Sequence, residues 1–488
     1  MTDPHPPSEA LAYATLSELK EKLSSGEVTS LELVNVFLER IEALDVAGTE
    51  VSLRSIAQVH QDAREEAQRC DDERRRGESR GPLHGIPVII KDNIEAIGLG
   101  GLAGSSALVG RPTRDADVVI SLKNAGAILL ASTNLSQWAN IRSARSTSGW
   151  SATGGLVGNP WALDRSAGGS SSGSGAALAA GLAPIALGTE TDGSIVCPAS
   201  VNGVVGLKPT VGRLSTKHII PISASQDTPG PMARNVDDVA ALYAALVGAS
   251  VNSTLSSLTF AAGTNWLTGN PETDALYVAL VEQLRAKGLA VYDRELAVPG
   301  AQDGEDEGTV LFSELHDDLS AYLAERPGDG VKSLKDVVDY EDLYKETEQP
   351  FFGHDLFELA LATGGRSGAA YKEARERNLR WAVETCLTPA LAGVDVLLAP
   401  SYGPSWKSDL AVGGHPGPAS PATMAPAIAG WPIMNIPMGL VQGLPVGLAL
   451  IARANDEEKL LSAARIIEGI VNEISPLPRP FWQRPTRG

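Results

Sequence analysis

Short apolar runs set between helix-length stretches predict an α/β fold: one large mixed, mostly parallel twisted sheet sandwiched by α-helices. Two observations carry this. Val88–Ile90, Ala127–Leu130, Ile185–Leu187, Val394–Ala399 and Val446–Ile451 are too short for helices and are separated by helix-like segments. Aromatic residues make up only 5% of a chain that is 43% hydrophobic and holds 50 glycines. That balance suits close packing of helices on a sheet better than an aromatic-rich β-sandwich. The length of 488 residues allows roughly three domains at about 150 residues each, but large α/β enzymes often extend one sheet instead. Residues 1–488 therefore read as one domain: N-terminal helices over 1–80, a core over 81–250, a variable capping region over 251–380, and the rest of the core over 381–488.

The elements follow in order. Thr29-Ser-Leu-Glu32 fits a capping box, in which the Thr29 hydroxyl and the Glu32 carboxylate satisfy N–H groups left open at a helix start. Val34, Phe37, Leu38, Ile41 and Leu44 then repeat at helical spacing. A heavily charged helix is expected over Asp62–Arg76, its charges forming a solvated face. Gly81–Pro87 is turn-rich, and Val88–Ile90 is a buried strand delivering Lys91, Asp92 and Asn93. Ala176–Gly188, interrupted by Pro184, reads as a buried helix leading into a strand. From about 250 to 380 the patterning weakens. Asp303–Glu307 reads as an acidic loop, and the whole region as a cap shaping the substrate entrance. Pro476–Pro480 is an irregular tail, and no solenoid or propeller period is evident.

Composition excludes several functions. A net charge of −19 and a pI near 4.9 repel nucleic acid and anionic membranes. Cys70, Cys197 and Cys386 are odd in number and form no CxxC pair, which supports neither a disulfide framework nor a zinc site. The first residues lack the basic and apolar regions of a secretory signal, and no run of about 18 apolar residues spans a membrane. A cytoplasmic protein, monomeric or homo-oligomeric, is expected.

Gly168-Gly-Ser-Ser-Ser-Gly-Ser-Gly175 is the most unusual stretch. It opens a buried Ala-rich helix, where a linker would lead to a new domain. Its glycines permit close backbone approach and its serines bring hydroxyls together. Gly188-Thr-Glu-Thr-Asp-Gly-Ser194 follows a strand and sets a serine behind successive backbone N–H groups, a nest able to hold an oxyanion beside a nucleophile.

Gly168–Thr210, with Ser194-Ile-Val-Cys-Pro-Ala-Ser200 and Gly206-Leu-Lys-Pro-Thr210, resembles the amidase signature. Gly85–Asn93 resembles the segment carrying that family's lysine, and Asp227–Arg234 and Gly443–Leu448 match it again. The resemblance implies the amidase-signature fold and an amidase, a hydrolase of linear amide bonds. It implies a catalytic triad of Lys91 as base, Ser170 as a proton bridge reached through a cis peptide bond, and Ser194 as nucleophile forming an acyl-enzyme. The N–H groups of Thr191, Asp192 and Gly193 form the oxyanion hole. No metal and no cofactor are implied.

The chemistry is coherent. A serine hydroxyl needs a base, and a lysine with an ordinary pKa of about 10.4 becomes one when burial lowers that value. Ser172 either bonds within the triad or caps the following helix, and Asp227 reads as fixing loops. Asp192 stands where many members have glycine, and Val196 where many have arginine, which disfavours small diacid monoamides. Thr133–Asn140, Ser148–Ser151, Glu190–Pro198 and Pro221–Asp227 resemble bacterial peptide amidases. The implied substrate is a small amide or short peptide amide: a C-terminal peptide amide or an N-acyl amino-acid amide. Trp138, Asn140 and Trp150 are candidates to line the acyl pocket.

One alternative is aryl-acylamide or fatty-acid-amide hydrolysis. Another is a component of amidotransferase type that works only with a partner. Gly169-Ser-Ser-Ser-Gly173 also satisfies G-x-S-x-G, with His218, His316, His354 and His415 available, none in a recognisable motif.

Overall fold

A computed structural model describes residues 7–49, 51–111, 113–413 and 419–480. Eleven strands form one sheet. In chain order they are β1 Ile56–Val59, β2 Pro87–Lys91, β3 Ile128–Thr133, β4 Ile185–Glu190, β5 Val205–Lys208, β6 Thr228–Ala233, β7 Thr259–Gly263, β8 Ala290–Arg294, β9 Val396–Pro400, β10 Ile433–Val441 and β11 Leu444–Ile451. Across the sheet the order is β1-β3-β2-β4-β6-β5-β10-β11-β9-β7-β8.

The sheet is mixed and flanked by helices, as its apolar runs predict, but its parallel pairs are in the minority. Parallel pairing is confined to β3–β2–β4 on one flank and β9–β7–β8 on the other. The middle, from β4 through β6, β5, β10 and β11 to β9, is antiparallel, as is β1 on β3. One of the six antiparallel pairs follows from a short connection. β10 and β11 are joined by Gln442 and Gly443 alone, at φ 53° and 78°. Two left-handed residues make a hairpin turn that only antiparallel strands can use.

The capping box holds: the Thr29 hydroxyl accepts from Glu32 N–H at 3.1 Å, and Thr29 N–H donates to Glu32 Oε2 at 2.8 Å. The helix Ser30–Leu44 buries Leu33, Val34, Phe37, Leu38 and Ile41, and the charged helix spans Ala63–Arg75. Thr15 and Glu18 form a second capping box ahead of Leu16–Ser25. Residues 476–480 have no regular structure.

Asp303–Glu307 is not a loop: it lies within the first two turns of a helix over Ala301–Glu325. Gly300 N–H donates to Asp303 Oδ2 at 2.7 Å, Asp306 is held by Arg377 at 2.6 and 2.7 Å, and Glu307 is buried. An apolar stripe of Val310, Leu315, Leu319 and Leu323 seats this helix, and acidic residues at its N-terminus suit the helix dipole. The region 251–380 also supplies β7 and β8 to the sheet.

β2 and β4 are adjacent and parallel, with Ile90 opposite Leu187. Their C-terminal ends therefore lie at the same edge of the sheet, where open α/β sheets place their sites. β2 ends in Lys91, and β4 ends in Glu190, four residues before Ser194. The buried helix Ser172–Ala179 begins between them. At Gly173 a Cβ would sit 2.2 Å from the Ser55 carbonyl and 2.4 Å from that of Asn134, so only glycine lets the Gly/Ser tract approach this closely.

Candidate active site

Lys91, fully buried at the end of β2, points its Nζ at three oxygens: Ser170 Oγ at 2.7 Å, Thr189 Oγ1 at 2.8 Å and the Thr189 carbonyl at 3.1 Å. Asn93 Nδ2 donates to the same Thr189 Oγ1 at 3.0 Å. Burial pushes the Lys91 amine down to about 7, against the opposing pull of Asp227 and Glu190. The Gly169–Ser170 peptide bond is cis. Ser171 N–H donates to the Ser194 carbonyl at 3.1 Å, and Ser136 N–H to the Ser170 carbonyl at 3.1 Å. The first bond ties the Gly/Ser tract to the turn carrying Ser194, and the second ties it to the segment that follows β3.

That turn is set by its own acids. Glu190 Oε2 accepts from Ile195 N–H at 2.6 Å and Val196 N–H at 2.9 Å, clamping the start of the helix Val196–Asn202. Asp227 accepts from the Thr191 hydroxyl at 2.5 Å and from the N–H groups of Ile222 and Ser223 at 2.8 and 2.9 Å, and so fixes two loops. Gly193 sits at φ 77°, and a Cβ there would lie 2.8 Å from the Tyr402 hydroxyl. Among the described residues, no backbone carbonyl or side chain accepts from the N–H groups of Thr191, Asp192 and Gly193, the three expected at the oxyanion hole, or from that of Ser194. Ser172 Oγ donates to the Gly168 carbonyl at 2.6 Å, so it braces the tract and does not touch Lys91.

Ser170, Ser194, Thr191, Asp192, Asn140 and Tyr402 open on one cavity of about 410 Å³, walled on the cap side by Leu311 and Leu356. Asn140 lines this cavity, and its Oδ1 is buried and has no hydrogen-bond partner among the described residues. Trp138 and Trp150 do not line it. Trp138 is buried behind the wall, its Nε1 donating to Glu341 at 3.0 Å and its ring 6.0 Å edge-on from Phe357. Trp150 packs 5.1 Å from the Phe352 ring and 5.6 Å from that of Phe351. The cause is local. Trp138, Ala139 and Asn140 have φ of 50°, 53° and 75°, and this left-handed turn aims successive side chains to different sides. Non-glycine residues held there cost roughly 1–2 kcal/mol each.

No histidine among the described residues lines this cavity. His218 faces the Asp115 carbonyl, His316 faces Asp317 and His354 faces Glu341; His415 lies outside the described residues. A serine–histidine reading is thereby unsupported. Among the described residues, one group of metal-ligand type, Cys70, Glu73 and His84, lies elsewhere. Glu73 there is bridged by Arg80 at 2.6 and 2.7 Å, a cation already in place of a metal.

A family model for amidases matches residues 32–461. The chain belongs to the amidase family. Peptide amidase from Stenotrophomonas maltophilia is 38% identical, with a TM-score of 0.90 over 98% of this chain and 100% of that one. A putative amidase of Schizosaccharomyces pombe is 33% identical over 94% of this chain and 86% of its own length. One component of the glutamyl-tRNA(Gln) amidotransferase of Alkalilimnicola ehrlichii is 31% identical over 96% of this chain and 99% of its own length. The large mixed sheet flanked by helices is shared with the Stenotrophomonas peptide amidase, and the protein is an amide-hydrolysing enzyme. Among the described residues no helix of the amidase is long and apolar enough to cross a membrane.

Four contributors escaped the sequence reading. Thr189 and Glu190 lie inside the quoted Gly188–Ser194 motif, but their contacts depend on the turn that follows β4. Glu341 and Glu348, from the cap, accept from Trp138 Nε1 and Gln137 Nε2 and carry no motif at all.

Proposed function

We propose that this amidase hydrolyses C-terminal amides of peptides or N-acyl amino-acid amides, with Ser194 as nucleophile, Ser170 as proton bridge and Lys91 as base. The observation that carries the reading is the Lys91 Nζ–Ser170 Oγ contact of 2.7 Å beside a cavity that Ser170 and Ser194 share. A neutral Lys91 amine has two N–H groups for Thr189 and a lone pair for the Ser170 hydroxyl. Ser170 then takes the proton of Ser194 as Ser194 Oγ attacks the amide carbon. The unused N–H groups beside Ser194 receive the oxyanion, each worth about 3–4 kcal/mol in the transition state. The proton returns through Ser170 to the leaving nitrogen, ammonia departs, and water attacks the ester on Ser194 by the same relay.

Peptide amides are favoured as substrates by the similarity to the Stenotrophomonas peptide amidase. A panel of a peptide amide, an N-acyl amino-acid amide, an anilide and a long-chain fatty amide tests this. Fastest ammonia release from the first two supports the reading. Preference for the anilide or fatty amide moves the substrate class, and release from none favours an enzyme that needs a partner chain.

The pH profile checks the base. Lys91 is active when neutral, so kcat/KM should rise with pH through about 7 and fall below it as the amine gains its proton. A rate flat from pH 5 to 9 contradicts a lysine base. Gly193→Ala should lower kcat roughly tenfold or more, because its Cβ forces Tyr402 or the turn to move; unchanged steady-state kinetics would contradict that geometry.

A further inference from the structure

The cap helix Ala301–Glu325 turns one face toward the site. Glu307, Leu311, Glu314 and Asp318 are spaced four, three and four residues apart, so they lie along one stripe of it. Leu311 walls the catalytic cavity, and the three acids all bind the loop 221–227. Glu314, buried, accepts from Ser223 Oγ at 2.5 Å and from Ser225 N–H at 3.0 Å, and Tyr371 donates to its other oxygen at 2.7 Å. Asp318 accepts from Ala224 N–H at 2.9 Å, and Glu307 from Gln226 Nε2 at 3.1 Å. Burial would raise the Glu314 carboxyl, but its bonds from Ser223, Tyr371 and Ser225 outweigh that and hold it below the ordinary glutamate value. The loop passes this grip on. Its last residue, Asp227, accepts from the Thr191 hydroxyl at 2.5 Å, and Gln226 Nε2 reaches the Thr191 carbonyl at 3.5 Å. Thr191 opens the turn to Ser194. A buried carboxylate is costly unless its oxygens are bonded, and here those bonds end on a loop that carries no residue of the proposed triad.

We infer that Glu314 is a positioning residue for the oxyanion turn: it fixes the loop 221–227, and through Asp227 that loop sets the direction of the Thr191 N–H. The inference rests on the reading of Thr191, Asp192 and Gly193 as the oxyanion hole, and adds to it what holds that hole in place. Misplacing such a donor weakens the transition state more than the bound substrate, because the oxyanion exists only in the former. Loss of Glu314 should therefore appear in kcat and not in KM.

The test measures peptide-amide hydrolysis by the full chain and by Glu314→Ala, Glu314→Gln and Thr191→Val. Two inhibitors accompany it: a trifluoromethyl ketone of the same peptide, which forms a tetrahedral oxyanion on Ser194, and the peptide alcohol, which has no carbonyl. Glu314→Ala should lower kcat about tenfold to a hundredfold and weaken the ketone by the same factor. KM and the affinity for the alcohol should stay within about twofold. Glu314→Gln should recover most of kcat, because its amide oxygen takes the bonds of Ser223 and Ser225 while its NH2 group donates to Tyr371. Thr191→Val cuts the link at its far end and keeps its own N–H, so combining it with Glu314→Ala should add little. Should Glu314→Ala fail to fold, Ser223→Ala, which removes one of the two donors the loop offers Glu314, takes its place. An unchanged kcat, or equal weakening of ketone and alcohol, overturns the inference. Full additivity with Thr191→Val, or no recovery in Glu314→Gln, overturns the route through the loop. Ser194→Ala tests the underlying reading separately: loss of the ketone's advantage over the alcohol supports it, and tight ketone binding retained there defeats it whatever Glu314 does.

Discussion

Ser194→Ala should lower amide hydrolysis at least ten-thousand-fold while the thermal midpoint stays where it is. The size follows from the chemistry: without the hydroxyl there is no covalent intermediate, and what remains is binding and oxyanion stabilisation. The unchanged stability follows from the structure. Ser194 Oγ faces the cavity, and what ties this residue to its surroundings is its main chain, through the carbonyl that accepts from Ser171. Truncating a side chain without structural hydrogen bonds leaves stability within about 0.5 kcal/mol. Steady-state ammonia release and a thermal melt on the same preparation check both halves. Appreciable turnover in a folded Ser194→Ala enzyme removes this serine from the mechanism.

Lys91→Met should be the second large loss, about a thousand-fold or more in kcat. Methionine nearly fills the same volume, so the change removes the amine without opening a large cavity. It has a stability cost that Ser194→Ala lacks. Lys91 answers the Thr189 carbonyl and two hydroxyls, and leaving buried acceptors open costs about 1–3 kcal/mol. The two variants therefore separate: one inactive with an unchanged melting point, the other inactive with a lowered one. The pH dependence sharpens the assignment. Residual activity in Lys91→Met should lose the acid limb near pH 7, because the group that titrates there is gone. Retention of that limb would assign it to another group, with Asp227, raised to about 6 by burial, as the first candidate.

The proposed triad was legible through resemblance: Gly85–Asn93 and Gly168–Thr210 match the amidase signature in combination, whereas the Thr-Asp-Gly-Ser turn taken alone is common. Asn140 was legible through the separate segment Thr133–Asn140, but the directions of Trp138 and Trp150 were not. Side-chain direction depends on φ, and nothing in Gln-Trp-Ala-Asn announces three left-handed residues. The proportion of parallel pairing was misjudged for a related reason. Apolar runs reveal strands but not their partners, although Gln442-Gly443 between Val441 and Leu444 is a hairpin signal in its own right. Asp303–Glu307 read as a loop because its acids and glycines hid the stripe of Val310, Leu315, Leu319 and Leu323. The cap stayed opaque because its contribution is made by buried carboxylates, and the hydrogen bonds of Glu341 and Glu348 join residues about 200 positions apart.

The central claim is that the acyl group passes through Ser194. It is tested most directly by mixing the enzyme with an activated ester of an N-acyl amino acid, quenching in acid within milliseconds, and mapping the adduct by peptide mass spectrometry. The account predicts one acyl group on the peptide containing Ser194, absent in Ser194→Ala and slow to form in Lys91→Met. An adduct on Ser170 or Cys197, with Ser194 unmodified while turnover proceeds, would contradict it.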